Sequence, residues 1–87
     1  MRIMIREDLS KFHIDMHVVF FSVVDAENFE KNYLEQMKEI GMSEPTIIKR
    51  EGQNIFLRFE RDQNNLVQWL ELRRQLENFA SKLKGLS

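Results

Sequence analysis

The sequence predicts an α+β fold, a two-layer sandwich with two helices on one face of a mainly antiparallel sheet. Apolar residues recur at steps of three and four in two segments, 26–40 and 63–84, which is typical of amphipathic helices. The segments before and between them are rich in β-branched and aromatic residues, which favour strands. The predicted order is ββαββα, or βαββα if residues 2–5 are irregular, and either order belongs to the α+β class.

Four segments of the chain are predicted to be strands. Residues 2–5 predict a short strand and residues 12–24 a long one, dominated by Phe, Ile, Val and His. Residues 46–50 and 54–60 flank Glu51, Gly52 and Gln53, so they predict a β-hairpin whose glycine supplies a positive φ. Alternation along the long strand predicts a core face that carries Phe12, Ile14, Met16, Val18, Phe20, Ser22 and Val24.

Both helices carry residues that suit their ends. Asp25 is the predicted N-cap of the first helix, and Gly41 followed by Met42 fits a left-handed C-cap with a hydrophobic contact. Lys82, Lys84 and Gly85 suit the end of the second helix. Trp69 lies on its apolar stripe as a core residue, and we expect Leu66, Leu70 and Ala80 to widen that stripe.

Length and composition predict one domain over residues 1–87. A chain of 87 residues buries only about 60–65% of its unfolded surface and does not support two cores. The halves both read strand, strand, helix, but they share few identities, so we treat the similarity as a coincidence of pattern. No segment reaches the roughly 20 apolar residues of a membrane helix. We therefore expect no membrane contact and a cytoplasmic location.

The second face of the sheet is predicted to be open, because two helices cover only one side of four strands. We expect Val19, Phe21, Val23 and Phe56 to form an apolar patch there and to serve as an interface, most simply in a homodimer. The alternative is that an N-terminal segment or a helix end folds over them.

Nucleic acid is the alternative partner of that face. Phe21 and Phe56 could stack on bases, and four cations, Lys49, Arg50, Arg58 and Arg61, lie close by in the sequence. The net charge of −1 and the absence of an RNA-recognition octapeptide argue against this reading.

The sequence contains little evidence for an enzyme or for a metal site. The absence of cysteine excludes disulfides, thiolate metal sites and thiol nucleophiles. His13, Asp15 and His17 share a strand face, but at about 3.3 Å per residue the two imidazoles are about 13 Å apart, too far for one ion. No nucleophile elbow, phosphate loop or carboxylate pair stands out. We predict no catalytic residue, no metal and no cofactor.

One segment resembles a known family. The first helix ends in Glu39-Ile40-Gly41-Met42-Ser43, and a strand, a glycine-containing turn and the strand 55–61 follow. This unit is similar to the helix-strand-strand unit in the C-terminal double-wing DNA-binding domain of the phage middle-promoter transcription factor. It covers under half of the chain. The resemblance implies nucleic-acid binding or a phage origin, and it assigns a role to no residue.

These inferences predict a small non-enzymatic regulatory or adaptor protein that binds another macromolecule, as a homodimer through its open sheet face. The alternative is a nucleic-acid-binding module that uses the same face.

Overall fold

A computed structural model describes residues 1–61 and 65–85 and confirms the predicted α+β fold. The order is ββαββα: β1 (Arg2–Asp8), β2 (His13–Val19), α1 (Val23–Glu39), β3 (Ile47–Glu51), β4 (Asn54–Glu60) and α2 (Leu66–Gly85). The four strands form one sheet in the order β1-β2-β4-β3, and each pair is antiparallel. No helix of the described residues is long and apolar enough to cross a membrane.

The hydrophobic core lies between the helices and one face of the sheet. Its residues alternate as predicted along β2 and β4, and its helix residues follow the predicted spacing of three and four. The predicted core residue Val24 is instead exposed in α1. On the strands the core residues are Ile14, Met16, Val18, Ile55, Leu57 and Phe59, and on the helices Ala26, Phe29, Met37, Trp69, Leu72, Leu76, Phe79, Ala80 and Leu83. Both helices therefore cover the same face.

The helices divide this face between them. Glu30 of α1 accepts a hydrogen bond at its Oε1 from Arg50 Nε of β3, at 3.3 Å. Arg73 of α2 forms an ion pair with Glu7 of β1, with 3.2 Å between Arg73 Nε and Glu7 Oε1. The rings of Phe29 and Phe79 join the helices at a centroid distance of 6.0 Å. Neither helix covers the opposite sheet face.

The prediction of one strand over residues 12–24 is wrong. β2 ends at Val19, and the extended Ser22 is the N-cap of α1, since its Oγ accepts a hydrogen bond from the backbone N–H of Asp25 at 3.1 Å. Asp25, the predicted N-cap, therefore lies inside the first turn. Sequence favoured the strand because Val23 and Val24 are β-branched, but a capped helix N-terminus outweighs their propensity.

The C-terminal cap of α1 is confirmed. Gly41 has a φ of +71°, its N–H donates to Lys38 O at 3.1 Å, and the N–H of Met42 donates to Met37 O at 2.8 Å. These are the two bonds of a Schellman motif. Met42 is buried, so the hydrophobic contact of the motif is present as well.

Gly41→Val is expected to lower the free energy of unfolding by about 1 kcal/mol or more, because a β-branched residue is strained at positive φ. The space around a Cβ at this position is open, so the cost comes from the backbone and not from a clash. Gly41→Asn is the control, since asparagine tolerates this conformation. Urea denaturation measures both variants, and an unchanged curve for Gly41→Val contradicts a role for the cap.

Helix α2 differs from its prediction at the N-terminal end. Asn65 caps it, since its Oδ1 accepts from the N–H of Gln68 at 3.0 Å. The predicted start after Asp62 and the stripe residue Leu86 lie outside the described residues. Trp69 and Ala80 are buried as expected, but the prediction that Leu66 and Leu70 belong to the buried stripe is wrong, because both are exposed.

The two halves of the chain have the same topology. Each contributes an edge strand, a central strand and a helix, and the central strands β2 and β4 pair antiparallel with Met16 opposite Leu57. A two-fold axis normal to the sheet, passing between Met16 and Leu57, relates β1 to β3, β2 to β4 and α1 to α2 in the order of the elements. The strand-strand-helix pattern of the sequence therefore corresponds to a pseudo-symmetric fold.

Candidate binding surface on the open sheet face

The open sheet face is the side of the sheet opposite α1 and α2. Its residues follow from the strand register and the alternation of side chains. They are Arg2, Met4, Arg6 and Asp8 on β1; His13, Asp15, His17 and Val19 on β2; Asn54, Phe56, Arg58 and Glu60 on β4; and Ile47, Lys49 and Glu51 on β3. These fifteen positions form four rows across the strands.

Each row has a distinct chemistry. The first row contains a cation and an anion at its two ends and reads Arg2, Val19, Asn54, Glu51. The second, or aromatic row, reads Met4, His17, Phe56, Lys49. The third, or ionic row, reads Arg6, Asp15, Arg58, Ile47, and the fourth reads Asp8, His13, Glu60.

The aromatic row is held by a cross-strand stack. The His17 and Phe56 rings are nearly parallel, at 20°, with centroids 4.3 Å apart. His17 Nε2 lies 2.9 Å from Asn54 Oδ1, a hydrogen bond that fixes the imidazole over the phenyl ring. Phe56 is still 37% exposed, and Met4 in the same row is 36% exposed. An apolar and aromatic strip is therefore available to a partner.

The ionic row contains a two-pronged ion pair. Arg58 Nε donates to Asp15 Oδ1 at 2.8 Å, and a terminal nitrogen of the same guanidinium donates to Oδ2 at 3.2 Å. This hydrogen bonding holds the pKa of Asp15 below its ordinary value, against the opposing effect of partial burial. Arg6 adds a weaker attraction, and no ion pair within 4 Å neutralises its guanidinium among the described residues.

Asp15→Asn is expected to destabilise the fold at neutral pH, because it removes the carboxylate that Arg58 binds. A lowered folded pKa stabilises the protein above the unfolded value of 3.8, and this contribution is lost as the pH falls through the folded pKa. The difference between wild type and variant should therefore shrink in acid. Urea denaturation over a pH series, at low protein concentration, measures it. A difference that stays constant with pH contradicts the argument.

His13 lies in the middle of the fourth row and, among the described residues, is the buried polar residue of this face, with 7% of its surface exposed. Its Nε2 lies 3.6 Å from Asp15 Oδ2 and 4.0 Å from Asp8 Oδ2. Asp8 also accepts from the hydroxyl of Ser10, which lowers its pKa. Within residues 1–61 and 65–85, no group of three or more His, Asp or Glu side chains is arranged to hold a metal ion.

The four predicted interface residues do not share one face. Val19 and Phe56 lie on the open sheet face, whereas Phe21 follows the end of β2 and Val23 is the first residue of α1. Phe21 is 73% exposed and lines a groove on the helix side, beside Phe29 and Leu83. The cause is the early end of β2, which stops the alternation at Val19. The interface role of these residues stays a prediction.

The four predicted nucleic-acid contacts also separate. Lys49 and Arg58 lie on the open sheet face, but both are paired, Lys49 with Glu51 at 2.8 Å and Arg58 with Asp15. Arg50 points to the helix side, where it meets Glu30. Arg61 follows β4 and lines a groove near Gly41, and partial burial lowers its pKa.

Strand β1 supplies residues of the face that were not predicted from the sequence. It extends to Asp8, beyond the predicted residue 5, and so brings Arg2, Met4 and Arg6 to the open sheet face. Ile47 of β3 was missed as well and is 49% exposed. Alternation continued through residue 8 would have found the β1 residues. The alternative that the N-terminal segment covers this face is wrong for β1, which extends the sheet as an edge strand.

The open sheet face is slightly concave and electrically balanced. A depression of about 510 Å³ lies over its centre, with Met4, Ile47 and Phe56 among its lining residues. The face carries four Lys and Arg residues against four Asp and Glu residues. Such a balance suits a partner that also carries both signs of charge.

Comparison with known proteins adds no relative. No family model matches the chain, and no curated protein or solved structure is similar to it at a significant level.

Proposed function

We propose that this protein is a small non-enzymatic regulatory or adaptor protein that acts by binding another macromolecule through its open sheet face, and that its first partner is a second copy of itself. The observation that carries this proposal is the set of exposed apolar side chains of Met4, Phe56 and Ile47, because they lie on a face that neither α1 nor α2 covers. Burying apolar surface stabilises a complex by about 25 cal/mol per Å².

The area of the open sheet face suggests a reversible dimer. Three strands of seven residues and one of five, at about 3.3 Å per residue and about 4.8 Å between strands, give roughly 410 Å² per protomer. Two such faces bury less than the roughly 1,200 Å² at which standard stable interfaces begin. We therefore expect association at micromolar protein concentration.

Sedimentation equilibrium of the wild-type protein over a concentration series tests the proposal. The expected result is a monomer–dimer equilibrium with a dissociation constant in the micromolar range. A monomer at every concentration, including hundreds of micromolar, contradicts the homodimer.

Nucleic-acid binding is a second candidate because of one observation. The stacked pair of His17 and Phe56 lies in the row between Arg2 and Arg6, two cations of β1 that form no ion pair among the described residues. Aromatic faces flanked by cations bind single-stranded nucleic acid by stacking and by phosphate contacts. The resemblance to a phage DNA-binding domain supports the same candidate.

Fluorescence anisotropy with a labelled single-stranded oligonucleotide tests this second candidate. If it is correct, affinity falls steeply with salt because phosphate contacts release counterions, and Arg6→Gln reduces the salt slope. Binding that is absent at low salt contradicts it. A matched duplex in the same assay distinguishes the single-stranded from the double-stranded substrate.

A further inference from the structure

We infer that two copies of the chain pack face to face around a two-fold axis that lies along the strand direction, between β2 and β4. This inference rests on the proposed homodimer and adds its register. Such an axis places β1 over the partner's β3 and β2 over the partner's β4. Each of the four rows then lies over the same row of the partner, in reverse order.

In this register, each row faces similar or complementary side chains of the partner. The aromatic row faces itself, so that His17 lies over the partner's Phe56 and Met4 over the alkyl chain of the partner's Lys49. Aromatic and apolar atoms are thereby buried together at the centre of the interface, where binding energy is concentrated.

Charges are complementary in the same register. The first row places Arg2 over the partner's Glu51, and the ionic row places Asp15 over the partner's Arg58. Each contact occurs twice because the axis is two-fold. Arg6 lies over Ile47 of the partner subunit, so no like charges meet in the rows. Arg2, which has no ion pair among the described residues, gains an anion by dimerisation.

The other symmetric way to stack the faces is less favourable. A two-fold axis across the strands would place the aromatic row over the partner's ionic row. Phe56 would then lie over the partner's Arg58, whose guanidinium is already bound to Asp15, and His17 over the partner's Asp15. The aromatic row would then be buried against the Asp15–Arg58 ion pair, and that ion pair would lose its water without gaining a new partner. In that arrangement Arg2 would meet the partner's Asp8.

A charge-reversal experiment distinguishes the two axes. Arg2→Glu and Glu51→Arg each place like charges opposite one another at both ends of the homodimer, so each variant alone should dimerise at least about tenfold more weakly. An equimolar mixture of the two restores opposite charges at both ends. It should sediment as a heterodimer with nearly wild-type affinity, and added salt should reduce the difference between the mixture and its parents.

The control is Glu51→Arg alone. An axis across the strands would place no residue of the face over Glu51, because β3 has no position in the fourth row, so that axis predicts wild-type dimerisation for this variant. Arg2 and Glu51 are exposed, so circular dichroism should show both parents folded. Wild-type dimerisation of either single variant, or a mixture that does not recover, overturns the register and leaves the homodimer standing. A monomeric wild type overturns both.

Discussion

Phe79→Ala is expected to destabilise the protein by about 3–5 kcal/mol, the largest effect of any single truncation that we predict. Phe79 is fully buried in the hydrophobic core, and its ring packs against Phe29 of α1, so it joins the two helices. Its removal leaves a cavity in the core, which the surrounding structure fills only in part. For a domain of this size, the loss is a large part of the total stability.

Phe21→Ala is the matched control, since it removes an identical ring that is 73% exposed. Its effect should stay within about 0.5 kcal/mol. Urea denaturation, followed by the fluorescence of Trp69, measures both variants. Equal losses in the two variants contradict the core described for the helix layer.

Phe56→Asp is expected to weaken dimerisation by more than about tenfold while the monomer stays folded. The side chain is partly exposed on the open sheet face, so an aspartate there is solvated in the monomer. In the dimer the same carboxylate would be buried against the partner's aromatic row, without a partner that compensates for its desolvation. Sedimentation measures the association and far-ultraviolet circular dichroism the fold.

Phe21→Asp is the control for this variant, because Phe21 is exposed on the helix side. It should dimerise like wild type. The opposite outcome, a monomeric Phe21→Asp and a dimeric Phe56→Asp, contradicts the open sheet face as the interface. It would move the interface to the start of α1, where the predicted interface residues Phe21 and Val23 lie.

Much of the fold could be predicted from periodicity. Core positions such as Ile14 and Leu57 follow from alternation, and Leu72 and Leu76 follow from helical spacing. The Schellman cap at Gly41 could be predicted because glycine is the residue that this conformation favours. In each case one local physical requirement selects the residue type.

The errors arise where local signals compete. Val23 and Val24 favour a strand, but the hydroxyl of Ser22 caps a helix, and the structure follows the cap. The full length of β1 was missed because the turn after it depends on hydrogen bonds to Asp8 and on Phe12 at a φ of +53°, a conformation rare for phenylalanine. Neither feature is marked by residue type alone.

The candidate site could be predicted only in part. The sequence identified an open sheet face and placed Val19 and Phe56 on it, as observed, but it also placed Phe21 and Val23 there, and both follow the end of β2. Which residues neighbour one another across the face depends on the register between β2 and β4, which are distant in the chain. The stack of Phe56 on His17 and the ion pair of Asp15 with Arg58 follow from that register and not from spacing.

Methyl nuclear magnetic resonance over a protein concentration series is the most direct test of the open sheet face as the self-association surface. The methyl groups of Met4, Val19 and Ile47 lie on this face, and those of Leu66, Val67 and Leu70 are exposed on α2. As the concentration rises through the micromolar range, the first set should shift or broaden while the second stays constant. Shifts confined to the α2 methyl groups, or no shift in either set, would contradict the account.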